Sequence, residues 1–153
     1  MSDFPIAHGL HVLAVLMWIG GVGFVTLVLM PTVSSWPEND RLAAFHRFEQ
    51  KFAPQARIWV LLAGASGFWM VSRGDMWSRF SDWHFWWMGA MVAIWAVFFM
   101  MLFIIEPLFL HRHMAHSITP ADDFRRMVIM HRVLLALSLI TVFGAAAGSH
   151  GLL

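Results

Sequence analysis

His8 and His11 stand three residues apart at the head of a run, Val12 to Val33, that carries no charge. Residues three apart on an α-helix share a face. A ligand-grade side chain inside a membrane span is costly, so it tends to face the bundle interior and mark function. Neutral imidazole is a ligand for haem iron and for copper. Seven further histidines follow, at 46, 84, 111, 113, 116, 131 and 150. His131 lies inside the expected fourth helix, beside Arg132.

Two other residue types have chemistry to offer. Met88 and Met91 follow His84, with Met100 and Met101 deeper in the same run. Thioether with imidazole suits copper(I), although methionine is also a common gap-filling residue. Glu106 is the one carboxylate within an apolar segment, and it pairs with Arg57 or Arg132 or serves as a proton relay. Cysteine is absent, which removes disulfides, thiolate metal sites, iron–sulfur clusters and covalent haem attachment. No Ser-His-Asp pattern in usable context, phosphate loop or HExxH motif is found, so hydrolase and NTPase chemistry have no support.

The elements that must position these groups are apolar helices. Of 153 residues, 59% are hydrophobic and 12% charged, too apolar for a water-soluble domain of this length. The net charge is +1 and the basic residues are scattered, so there is no nucleic-acid footprint. About four spans of roughly 20 residues fit. They are expected over about 5–33, 54–73, 83–110 and 121–148.

Pro5 suits a first helical turn, and Pro31 marks the other end of the first span. The first ten residues lack the basic start of a signal peptide, so this segment is read as retained. Leu42, Phe45, Phe48 and Phe52 recur at helical spacing and predict an interfacial helix over about 40–52 that either runs on into the second span or, as Pro54 favours, breaks there. The second span has only fifteen uncharged residues, Ile58 to Ser72, with Arg57 and Arg73 placed to snorkel. Trp77, Phe80, Trp83, Phe85, Trp86 and Trp87 read as an interfacial aromatic belt. Thr119-Pro120-Ala121-Asp122 reads as the start of the fourth helix. Gly20, Gly21 and Gly23, then Gly64, Ser66 and Gly67, then Gly144 and Gly148 form small-residue patches where a neighbouring helix, a flat cofactor or a second copy of the chain can approach.

Eight of the ten Lys and Arg residues (Arg41, Arg47, Lys51, Arg57, Arg112, Arg125, Arg126 and Arg132) fall in or beside the connections after the first and third spans. The positive-inside rule then places both termini on the outer, periplasmic side. With this topology His8, His11, His84 and His150 gather at the outer end. His46, His111, His113, His116 and His131 gather at the inner end. Histidines distant in sequence meeting at one depth are what a bundle cofactor site needs. A six-coordinate haem iron takes two axial ligands from opposing helices. His11 and His84 are the favoured pair, with His8 and His150 as competitors or supporting partners. Gly20, Gly21, Gly64 and Gly67 would make room for the macrocycle. A second inner site, His131 with His46 or His111, is the weaker arrangement.

Leu10-His11, then Trp18-Ile19-Gly20-Gly21, then Pro31 resembles the first helix of small bacterial membrane proteins of the copper-resistance protein D type. It is also similar to the opening helix of the four-helix HemJ-type protoporphyrinogen oxidases. Arg57 before a short second span ending near Gly67 also resembles the copper-resistance pattern. The likeness is specific over about 25 residues. It implies a histidine ligand at His11 and a haem- or copper-handling membrane protein. The oxidase family's lysine on the third helix has no counterpart, since the single lysine here is Lys51. If the chain is an enzyme, a haem-linked oxidoreductase is expected.

The fold expected is an all-α integral membrane four-helix bundle forming a single domain in the bacterial inner membrane. The leading functional expectation is a haem b protein with histidine ligation that moves electrons within or across the bilayer. Its partners would be a redox protein or a quinone, and a homodimer fits the small-residue patches. Copper binding or transport, and a non-catalytic accessory subunit, are the other two readings.

Overall fold

The computed structural model describes residues 3–110 and 119–149, the side chains of 107–110 excepted. Every described element is a helix. The long ones are α1 (Asp3–Ser34), α2 (Glu38–Arg73), α3 (Trp86–Met100) and α4 (Pro120–Ser149). Two 3₁₀ turns, Trp77–Ser81 and Trp83–Phe85, precede α3, and a π-helical stretch, Met101–Leu110, continues it.

Three segments are long and apolar enough to cross a membrane: Asp3–Ser34, Trp83–Glu106 and Pro120–Ser149. Leu16, Leu27, Ile140 and Phe143 lie along them, each more than half exposed. Such faces on helices are at home in lipid, where helical backbone satisfies its own polar groups.

The prolines shape the helices without ending them. Proline removes an amide donor and crowds the carbonyl four residues back. Ahead of Pro31, residues Val25–Leu29 widen into a π-turn, with the Met30 N–H donating to the Val25 carbonyl. Pro107 likewise sits in a π stretch. A wider turn relieves the proline clash, so α1 runs on to Ser34. Pro54 was expected to separate an interfacial helix from the second span. Instead α2 passes through it as one helix of 36 residues, about 54 Å long. Phe45, Ala53, Ala56 and Val60 form one buried face across the proline. Pro54 and Gln50 are both exposed, so the carbonyl left without its partner lies on the outer side.

The long helices alternate in direction. One core draws on all four, with Trp18 and Val22 from α1, Val60 from α2, Phe98 from α3 and Leu135 from α4. The rings of Trp18 and Phe98 meet edge to face with centroids 5.1 Å apart. A second core joins Met30 and Val33 of α1 to Phe45 of α2 and Phe124 of α4.

The aromatic cluster splits between surface and interior. Trp83 is 87% exposed, whereas Trp87 is 6% exposed. The rings of Trp86 and Trp87 occupy the gaps beside Gly144 and Gly148, where a Cβ would collide with them. That small-residue face of α4 therefore takes tryptophan rings from α3.

Candidate functional site

His11 points from α1 onto α2. Its Nδ1 lies 2.9 Å from the Ala63 carbonyl and 3.2 Å from Ser66 Oγ. A carbonyl only accepts, so Nδ1 carries the hydrogen and the Nε2 lone pair stays available. The Ser66 hydroxyl donates to the Leu62 carbonyl, which leaves its oxygen free to accept from His11. Gly67 completes the seat: a Cβ there would stand 3.1 Å from His11 Cε1. A metal-ligating histidine characteristically donates its other ring N–H to a carbonyl or carboxylate, which fixes ring and tautomer. The donor chemistry at His11 fits a haem or copper ligand on this ground.

The other outer-end residues lie differently. His84 is exposed in the 3₁₀ turn before α3, where its backbone N–H donates to Asp82 Oδ1 at 2.9 Å. Its ring meets Phe85 and Trp87. No hydrogen bond or ring contact joins His11 to His84. His8 is exposed one turn before His11. His150, His111, His113 and His116 lie outside the described residues. Three of the four glycine gaps expected to admit a macrocycle are filled by the chain itself. Phe52 sits against Gly21, Trp95 against Gly64 and His11 against Gly67, and only Gly20 is open. The Trp95 ring is fixed there by its Nε1–H, which donates to the Val60 carbonyl at 2.8 Å.

A second constellation lies at the opposite end of the bundle. A cavity of about 200 Å³ opens between the helices, lined by Trp18, Phe45, Glu49, Phe52, Glu106 and His131 among others. Glu106 is 8% exposed and pairs with Arg57, Nη2 to Oε1 3.2 Å. Arg57 also donates from Nε to the Leu102 carbonyl at 3.0 Å. Glu106 thus takes Arg57 as its partner, and Arg132 is exposed. His131 Nδ1 donates to the Met127 carbonyl at 3.0 Å, which again leaves Nε2 with its lone pair. The His131 ring packs edge-on against Phe45. His46 is also at this end, on α2, with Nδ1 3.6 Å from Glu49 Oε2, too long for a hydrogen bond.

Glu49 is the residue that sequence reasoning missed. Burial, with the Glu106 charge adding to it, pushes its carboxyl up to about 7. A signal for it existed. Glu49 interrupts the apolar stripe of Leu42, Phe45, Phe52 and Ala56, so an acid was already placed on the inward face of α2.

Among the described residues no group of three or more His, Cys, Asp or Glu side chains is gathered as a metal site. Comparison with family models, with curated proteins and with solved structures gives no match.

Proposed function

We propose that this chain is a four-span bacterial inner-membrane protein that holds a b-type haem through His11 and passes electrons within or across the bilayer. The observation that carries the reading is the Nδ1 bond from His11 to the Ala63 carbonyl. It orients the ring, fixes its tautomer and keeps Nε2 ready to ligate. Gly67 keeps the seat clear, and Ser66 adds a second acceptor to the same N–H. When bound, a haem supplies one-electron ferric–ferrous chemistry. Apolar side chains around a bound haem would keep water from it and help set its potential. His11 is the one histidine assigned as a ligand.

The fourth span is the second half of α2. Its uncharged run from Ile58 to Ser72 covers about 22 Å against a hydrocarbon core of about 30 Å. Arg57 and Arg73 lie at its two ends, and snorkelling makes up the difference. The excess of Lys and Arg at the Glu106 end supports a cytoplasmic position for that end and an outer position for the termini.

The test is an absorption spectrum of the detergent-purified protein, oxidised and dithionite-reduced, with a pyridine haemochrome and a copper assay on the same sample. A sharp reduced b-type spectrum that His11→Ala abolishes, while the variant still inserts, is the expected result. Full haem retention in that variant would overturn the assignment. Stoichiometric copper without haem would replace it with the copper reading, and a colourless, metal-free protein with the accessory-subunit reading.

A further inference from the structure

We infer that the cavity at the Glu106 end is a binding site for the ring of a lipid-soluble quinone. Size comes first. A cavity of about 150 Å³ admits benzene, and pockets for much larger ligands run from about 300 Å³ upward. At about 200 Å³ this one has room for a single substituted six-membered ring.

The walls and the polar groups fit that ring. Phe45, Phe52 and Phe98 give it aromatic surfaces. The Trp18 indole N–H is buried with no hydrogen-bond partner, and Trp18 is 5% exposed. A buried donor left unpaired costs about 1–3 kcal/mol, so a ligand acceptor here meets an existing need. With the Trp18 ring turned toward the cavity it lines, a quinone carbonyl accepts from this N–H. A quinol hydroxyl donates to His131 Nε2, which the Met127 bond leaves with its lone pair. The Glu49 carboxyl donates or accepts according to its protonation. The set therefore serves both redox forms of one ligand.

The approach is from lipid. Phe48, Ile105 and Met130 line the cavity and are also exposed on the apolar outer surface. An occupant entering past them arrives from the bilayer, which selects a lipophilic molecule. His11 does not line the cavity, so this site stands whether or not His11 holds a haem.

The experiment is photolabelling of the full chain in nanodiscs with an azido-ubiquinone, with decylubiquinone as competitor and mass spectrometry to locate the label. Label is expected on the peptides around Phe45–Phe52 and Met127–His131, falling about tenfold with excess competitor. Ala53→Leu, which fills the cavity, and His131→Leu, which removes the acceptor, are each expected to cut labelling about tenfold. His11→Ala is expected to label as the parent does, with or without haem. Label spread over all four helices and insensitive to competitor would overturn the site, as would undiminished labelling of His131→Leu. Loss of label in His11→Ala would overturn its independence. If Ala53→Leu does not fold, His131→Leu and the competition on the parent chain still decide.

Discussion

Arg57 reaches from α2 to hold Glu106 at 3.2 Å and, with the same guanidinium, to bond the Leu102 carbonyl at 3.0 Å. One side chain thus neutralises a buried carboxylate and takes up a carbonyl of the π-helical stretch that contains Pro107. Widening into a π-turn shifts the backbone bonding pattern, and an arginine fork can serve a carboxylate and a carbonyl together.

Removing Arg57 should strand that carboxylate. Breaking one side of a buried pair costs about 3–5 kcal/mol, and Arg57 is a third exposed, so Arg57→Ala is expected near the lower end. Adding Glu106→Gln should restore most of the loss, since the neutral amide needs no counter-charge. Thermal unfolding in one detergent reads both variants. Equal instability of the single and double variants would mean that packing, not charge, is what Arg57 supplies.

Glu49 makes stability depend on pH with a definite sign. Its folded value of about 7 lies above the ordinary 4.5. Below about 4.5 the group is neutral folded or unfolded, so its burial carries no charge penalty. As pH rises from there through 7, the folded protein must hold a carboxylate out of water and stability falls. At about 1.4 kcal/mol per unit the amplitude is at most a few kcal/mol. Glu49→Gln should flatten the profile between pH 5 and 8, whatever His46 nearby contributes. A profile unchanged by that substitution would remove Glu49 as its source.

Gly67 and Gly20 separate seat from surface. A Cβ at Gly67 would stand 3.1 Å from His11, whereas nothing lies within 4 Å of one at Gly20. If His11 holds the proposed haem, Gly67→Val is expected to displace the imidazole and lower haem content, as is expected of His11→Ala. Gly20→Ala should leave the haemochrome unchanged. Haem retained in full by Gly67→Val would show that the ring does not need this seat.

The Trp87 ring occupies the gap at Gly148. Gly148→Leu is expected to cost about 1–3 kcal/mol by overpacking and to shift tryptophan emission to the red as the ring is pushed out. An unshifted spectrum with unchanged stability would place the ring elsewhere.

A chain without cysteine makes orientation directly readable. Ser81→Cys, between α2 and α3, should react with an impermeant maleimide on intact cells. Ser35→Cys, between α1 and α2, should react only after permeabilisation. The reverse pattern would invert the topology.

The residue pattern alone determined the helical, lipid-facing character. Charge-free runs such as Val12 to Val33 cannot be solvated, and their backbone must satisfy itself as helix. It also named Arg57 and Arg132 as candidate partners for Glu106, because an ionisable group in an apolar run needs company. The start of α4 at Pro120 was equally legible, since a proline ring there loses no helical bond.

Tertiary structure decided the rest, because each outcome depends on distances between helices that no local pattern encodes. Choosing Arg57 over Arg132 was a matter of which helix faces the π-helical stretch that carries Glu106, and that helix is α2. The continuity of α2 through Pro54 came from a buried face spanning both sides, a packing gain outweighing one lost hydrogen bond. Whether a glycine gap admits a cofactor or one of the chain's own rings turned on where Phe52, Trp86, Trp87 and Trp95 fall. The cavity shared by Trp18, Glu49 and His131 exists only once all four long helices close around it.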